Sequence, residues 1–215
     1  MPAADGEPLS HSGPAPRRGR PRAFDRNAAL QAAMRVFWDK GYGGASLSDL
    51  TSAMGIASPS LYAAFGSKEG LYREALDLYA ETNGGQLCQA MNAPTAREAI
   101  ETMLRGAVRS FTSGEAPAGC MVMHTATQAD DLSPELAAAL CEKRSVGAMA
   151  IVDRLRQAVD VGEIADGVNV RAIADFYATV HKGLSLSARG GAGRAELDGV
   201  VTSAMAAWGP LTGQA

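Results

Sequence analysis

The sequence predicts an all-α protein, and three of its features say so. Apolar residues recur at i, i+3 and i+4 along most of the chain. Alanine-rich segments lack the Val/Ile/Thr alternation of strands, with apolar residues at 47% and aromatics at only 6%. Hydroxyl residues followed by Pro or an acidic residue precede several apolar runs, and Gly follows them, which is the punctuation of capped helices. At 215 residues the chain is long enough for one domain, or for a small domain attached to a larger one.

Taken in order, Leu30, Ala33, Met34, Phe37 and Trp38 give a first helix from Arg26, with Gly41 as a left-handed stop. Ser46, with Asp49 three residues on, forms an acidic capping box for a second helix reaching Met54 and ended by Gly55. Ser58 supplies a capping hydroxyl and Pro59 a first helical residue for a third, SLYAAF. Two short helices around a glycine turn describe a helix-turn-helix. Ser67 caps a fourth helix carrying Leu71, Ala75, Leu78 and Tyr79, which Asn83, Gly84 and Gly85 are placed to end or loosen. A fifth opens at Pro94-Thr95 with Ile100, Met103, Leu104, Ala107, Val108 and Phe111 in one stripe. A sixth covers CMVMHTATQA, and a seventh runs from Ser133-Pro134 to Gly162. An eighth aligns Ile173, Phe176, Tyr177, Val180 and Leu184; after the loop of Gly190, Gly191 and Gly193, a ninth carries Leu197, Val200, Val201, Ala204, Met205 and Trp208.

Charge is divided unevenly. Residues 1–75 hold nine Lys/Arg against seven Asp/Glu, a balance of +2, and residues 76–215 hold eleven against sixteen, a balance of −5; together they give the net −3. A basic end on an acidic body suits a chain that meets a polyanion at one end only. Arg17, Arg18, Arg20 and Arg22 stand directly before the first helix. Their Gly-Arg-Pro centre resembles the core of an AT-hook, whose extended backbone enters the narrow minor groove of A·T-rich DNA. The alternative for this stretch is a solvated charge run in a tail.

The stretch SLSDLTSAMGIASPSLYAAFGSKEGL, residues 46–71, resembles the DNA-binding signature of the TetR/AcrR family of bacterial transcriptional repressors, with Gly55, Leu61, Tyr62, Phe65, Lys68 and Leu71 at the signature's positions. The resemblance implies homodimers in which each subunit joins an N-terminal three-helix head to a larger helical ligand-binding domain. The expected division is a disordered basic arm over 1–22, a helix-turn-helix domain over 23–67, and a ligand-binding and dimerisation domain over 68–215. Ser58, Ser60 and Tyr62 then face the major groove, Lys68 a backbone phosphate, and Ser46 the place of the family's phosphate-binding Thr, while Leu50, Met54, Leu61 and Phe65 close the head's core. Two departures from the signature are Ala57, where a capping Ser is usual, which passes the cap to Ser58, and Thr51 in place of Ala.

For the larger domain, Met103, Phe111, Met121, Met123, His124, Phe176, Tyr177 and His181 form a candidate wall for a small-molecule effector, with core packing as the alternative at each position. Val180, Leu184, Val201, Met205 and Trp208 on the last two helices are the candidate dimer interface, and some of them must instead face the subunit's own core. A ligand wedged against the fourth helix would tilt the two heads and spoil their spacing on a palindromic operator.

Other readings follow from fewer residues. Cys120, His124, Cys141 and His181 allow a metal- or thiol-responsive regulator of the same fold, although no metal or other cofactor is expected. Gly-x-Ser-x-Gly, Walker A, His-Glu-x-x-His and Cys-x-x-Cys are all absent, which argues against an enzyme. A helical protein adaptor is disfavoured by the arginine arm and the intact signature. Three cysteines without framework spacing, no apolar span and an opening segment unlike a secretory signal point to the cytoplasm and away from membranes.

Overall fold

The computed structural model describes residues 25–126 and 132–213, all of them in helices, turns and connecting loops. Asp25 caps α1 (Arg26–Gly44), its carboxylate accepting from the amides of Asn27 and Ala28. Gly41, with φ 72° and ψ 177°, breaks the helical path where the sequence places a stop, but with an extended ψ in place of the left-handed one expected, and a last turn resumes beyond it. In α2 (Leu47–Met54) both halves of the capping box form: Ser46 Oγ accepts from the Asp49 amide, and the Asp49 carboxylate accepts from the Ser46 amide. Gly55 then takes the left-handed conformation, φ 65°, that only glycine adopts freely.

The start of α3 (Ser58–Phe65) corrects the expected cap. Ala57 is the N-cap, no side chain caps the helix, and Ser58 and Pro59 are its first two residues. The pyrrolidine of Pro59 presets the first turn and lacks an amide to satisfy, which compensates in part for the missing hydroxyl. Ser67 caps α4 (Lys68–Met91) by accepting from the Gly70 amide.

Far from ending at Asn83-Gly84-Gly85, α4 continues unbroken for 24 residues. Leu87, Ala90 and Met91 beyond the glycines pack in the core of the body, and that burial outweighs the roughly 1 kcal/mol per glycine of lost propensity. Asn83 turns its amide back to the Tyr79 carbonyl, so it stays within the helix instead of capping it.

Thr95 and Glu98 form a second capping box on α5 (Ala96–Phe111). Next come α6 (Met121–Ala126), α7 (Pro134–Asp160), whose cap Ser133 accepts from the Leu136 amide, and α8 (Val170–Arg189), capped by Asn169. The sixth predicted helix began at Cys120 and ran to Ala129; its last three residues lie outside the described ones. The predicted ninth helix divides at Ala207 into α9 (Arg194–Ala206) and a five-residue turn, α10 (Trp208–Thr212).

Two hydrophobic cores result. One joins α1, α2, α3 and the first half of α4 to α6 and the start of α7, through Phe37, Trp38, Leu50, Leu61, Phe65, Tyr72, Met121, Leu136 and their neighbours. The other packs the end of α4 with α5, the second half of α7 and α8 to α10 around Ile100, Leu104, Leu155, Tyr177 and Trp208. The expected boundary after residue 67 does not coincide with a gap in packing, because Leu71, Tyr72, Ala75, Leu76 and Tyr79 of α4 belong to the first core. Both long helices, α4 and α7, contribute to both cores.

A Cβ at Gly84 or Gly85 would meet no atom within 4 Å. Replacing each with Ala is therefore expected to raise unfolding stability by about 1 kcal/mol per site, read by urea denaturation at fixed chain concentration. A loss of stability would mean that α4 is bent there.

Candidate nucleic-acid interface

The face of α3 follows from where its two large apolar residues point. Leu61 and Phe65, one turn apart, are buried with Leu50 and Met54 of α2, as the sequence leads one to expect. The opposite side, Ser58, Pro59, Tyr62 and Ala63, is exposed, Ser60 is half-buried at its edge, and Tyr62 keeps 45% of its surface accessible. No charged side chain lies on α3. Its exposed chemistry consists of hydroxyls, one aromatic ring and the amides of an N-terminus without a side-chain cap, which carries the positive end of the helix dipole.

The head is braced by charge at three points. Arg26 lies over the Phe65 ring, 4.4 Å from its centroid, donates to the Ala64 carbonyl and pairs with Glu74 at 2.8 Å. It thereby pins the start of α1 to the end of α3 and to α4. Lys40 pairs with Asp49 at 2.6 Å; hydrogen bonds from Lys40 and then from Ser46 hold the Asp49 carboxyl down at about 2. Lys68 is half-buried with its ammonium 4.6 Å from the centre of the Tyr42 ring, within cation–π range.

Ser46 is placed differently from expectation. It is exposed at the start of α2, but its hydroxyl donates to Asp49 Oδ2 and accepts from the Asp49 amide. The hydroxyl is committed to the cap, which takes up the donor expected for a phosphate. Arg17, Arg18, Arg20 and Arg22 lie outside the described residues.

The eight candidate effector residues do not form one wall. Met121 and the half-buried Met123 pack in the head's core, and this corrects their assignment to a pocket in the body. His124, half-buried beside them, is held below its usual pKa by burial and then by Arg189. Phe176 is 38% exposed, on the outside of the subunit. Only Met103, Phe111, Tyr177 and His181 belong together. The first three are buried in the larger core, with the Phe111 and His181 rings edge to face at 5.5 Å and the Tyr177 hydroxyl 3.4 Å from the Ala204 carbonyl. Two open clefts, of about 370 and 460 Å³, lie between α4 and α5 and between α1 and α4, and none of the eight lines either.

Among the dimer candidates, Leu184, Val201, Met205 and Trp208 are buried in the subunit's own core. This is a correction, since a side chain already enclosed offers nothing to a partner. Val180 is half-buried. The outer face of α8 instead shows Phe176, Val180, Gly183, Leu186 and Ser187, with Leu186 61% exposed, and α9 shows Gly199, Val200, Ser203 and Ala206, with Val200 46% exposed. Leu186 stands off the stripe of Ile173, Phe176, Tyr177, Val180 and Leu184, so periodicity gives no signal for it.

Burial, and next to it Lys182, pushes His181 down to about 4. The unfolded chain binds this proton near the ordinary 6.5 and the folded chain only near 4, so stability is expected to fall as pH drops from 6.5 to 4. The slope due to His181 is at most about 1.4 kcal/mol per pH unit, and His124 adds a loss of the same sign. Urea unfolding across this range checks it: His181→Gln should flatten the decline, and an unchanged pH profile contradicts the burial.

Comparison with known proteins covers both cores. Residues 29–75 match the bacterial regulatory proteins of the tetR family, and residues 94–202 match the tetracyclin repressor-like C-terminal domain. The HTH-type transcriptional repressor ComR of Escherichia coli (strain K12) is 35% identical over 199 residues, covering 90% of this chain and 93% of ComR. BdcR, an HTH-type transcriptional repressor of the same strain, is 31% identical over 175 residues, covering 80% of this chain and 83% of its own. A solved cysteine mutant of the TetR family transcriptional regulator CifR, complexed with 26bp double-strand operator DNA, is 46% identical and superposes with a TM-score of 0.82, covering 88% of this chain and 100% of that one. Head, body and their arrangement are thus matched along nearly the whole described length, and the chain belongs to the TetR family of bacterial regulatory proteins.

Proposed function

We propose that the chain is a homodimeric transcriptional repressor that reads a two-fold symmetric DNA operator with α3 and is released by a small organic effector. The observation that carries this reading is the exposed, uncharged face of α3 around Tyr62, held outward by the burial of Leu61 and Phe65. Support comes from relatives named as repressors and from a similar protein solved on operator DNA. Ser58, Ser60 and Tyr62 contact base edges and phosphates, Lys68 and the first-turn amides of α2 contact backbone phosphates, and Arg17, Arg18, Arg20 and Arg22 follow the adjacent minor groove.

Dimerisation falls to the outer faces of α8 and α9. Phe176, Val180, Leu186 and Val200 supply apolar contact there, and the small residues Gly183, Ser187, Gly199 and Ser203 let helices approach closely. Two-fold pairing places two copies of α3 on one side, matching a palindromic site. The effector separates Phe111 from His181 between α5 and α8 and is walled by Met103 and Tyr177. A thousandfold loss of operator occupancy requires about 4 kcal/mol of preference for the released state.

A gel-shift titration against the chain's own upstream DNA tests this reading, with two chains per site as the expected stoichiometry. Tyr62→Ala should weaken operator binding about tenfold or more while leaving the salt dependence unchanged. Deleting residues 1–22 should reduce the slope of log affinity against log salt. A wild-type protein that shifts none of this DNA refutes the proposal.

One observation favours a thiol-responsive variant of the same function. Cys120 is partly buried where the two cores meet, packing against both, and its thiol is hydrogen-bonded to the Tyr79 hydroxyl. An adduct on that sulfur would need room on both sides. Iodoacetamide treatment is then expected to release operator DNA from the wild type and not from Cys120→Ser, with the exposed Cys88 and Cys141 intact in both. Equal loss in the two proteins assigns the effect elsewhere.

A further inference from the structure

Arg189 is the last residue of α8, and its guanidinium serves no carboxylate within ion-pair distance among the described residues. It donates to the Ala118 carbonyl at 2.8 Å, to the Trp38 carbonyl at 2.8 Å and to the Asp39 carbonyl. Trp38 and Asp39 lie in the last turn of α1 before Gly41 breaks it, where carbonyls run out of intrahelical amides. The negative ends of two helix dipoles, those of α1 and of α8 itself, therefore meet at one cation.

Around this contact the same three segments are tied twice more. Trp38 Nε1 donates to the Gly119 carbonyl at 3.0 Å, and the Cys120 amide donates to Ser185 Oγ at 2.8 Å. Gly119 has φ +76°, and a Cβ there would stand 2.6 Å from the Ser185 carbonyl oxygen, so the loop runs against α8 with no space to spare. Ser185 and Arg189, one turn apart on α8, thus grip the end of α1 directly and through residues 118–120. Phe176, Val180 and Leu186 occupy the outer face of the same helix. One rigid element reaches both the proposed partner subunit and the head.

We infer that Arg189 is a positioning residue that fixes the angle of the DNA-reading head relative to the dimer axis, and so sets the half-site spacing the dimer accepts. The inference rests on the dimeric reading above. Holding carbonyls of two separate segments requires a planar fork with several donors, and lysine, a compact single ammonium, is a poor substitute. Arg189 touches no DNA in this scheme. It acts through α1, whose Lys40–Asp49 pair and Arg26 contacts carry the constraint on to α2 and α3.

The full-length protein is titrated against its mapped upstream operator, against the same DNA with one base pair added or removed between half-sites, and against a single half-site. Wild type is expected to prefer the natural spacing about tenfold or more. Arg189→Gln should reduce that preference below about threefold while keeping half-site affinity within about twofold, and Arg189→Lys should fall between. Trp38→Phe, which removes only the Nε1 bond and keeps most of the bulk, should flatten the profile in the same direction and guards against a Gln variant that fails to fold. Parallel weakening on every DNA, or wild-type spacing profiles in Arg189→Lys and Trp38→Phe, overturns the positioning role. Wild type shifting no DNA instead defeats the regulator reading beneath it, so the two failures are distinct.

Discussion

An eight-residue helix does not persist alone in water, so the reading face of α3 exists only because Leu61 and Phe65 are enclosed by α2 and the surrounding head. That burial fixes which way Ser58 and Tyr62 point, and it makes the surface chemistry of the helix depend on residues that never reach the surface. The brace from Arg26 to Phe65, Ala64 and Glu74 belongs to the same constraint: it stabilises the end of α3 farther from its exposed N-terminus. Arg26 is thereby engaged in structure while its side chain stays 45% exposed.

Electrostatics and shape are divided between different parts of the head. The α3 face carries no formal charge, so the proposed DNA complex relies for long-range attraction on its flanks, on Lys68 and on the arginines before α1. The body remains acidic, which discourages contact between phosphates and the wrong side of the molecule. In the proposed complex, such a division would leave hydrogen bonding and shape to the helix while flanking cations supplied most of the salt-sensitive attraction.

How much was legible in the sequence depended on whether the deciding interaction was local. The capping box at Ser46, the helix start at Thr95, the stop at Gly55 and the buried pair Leu61 and Phe65 were readable because partner and signal lie within four residues of one another. Where the deciding partner is distant, local rules fell short. Gly84 and Gly85 stay helical because Leu87, Ala90 and Met91 are drawn into the body's core. Leu184 on α8, and Val201, Met205 and Trp208 beyond it, lie on stripes that periodicity detects, but periodicity cannot say whether such a stripe faces inward or a partner. Met121 was given to the body although the chain folds back and buries it in the head. Arg189 gave no signal beyond being a basic residue at a helix end, since the carbonyls it holds in α1 are about 150 positions away.

Because α4 is anchored in both cores, the proposed effector release would use it as a lever. Its 24 residues extend about 36 Å at 1.5 Å per residue, and swinging such a rod by only about five degrees about its far end carries the near end roughly 3 Å, comparable with the rise of one base pair. The glycine pair lies past the midpoint of this unbroken rod, where helix propensity is lowest. In the proposed repressor, a small volume change in the body would reach the head as a swing of the whole shaft or as a flexure at the two glycines, and the stiffness of those residues would set the proportion.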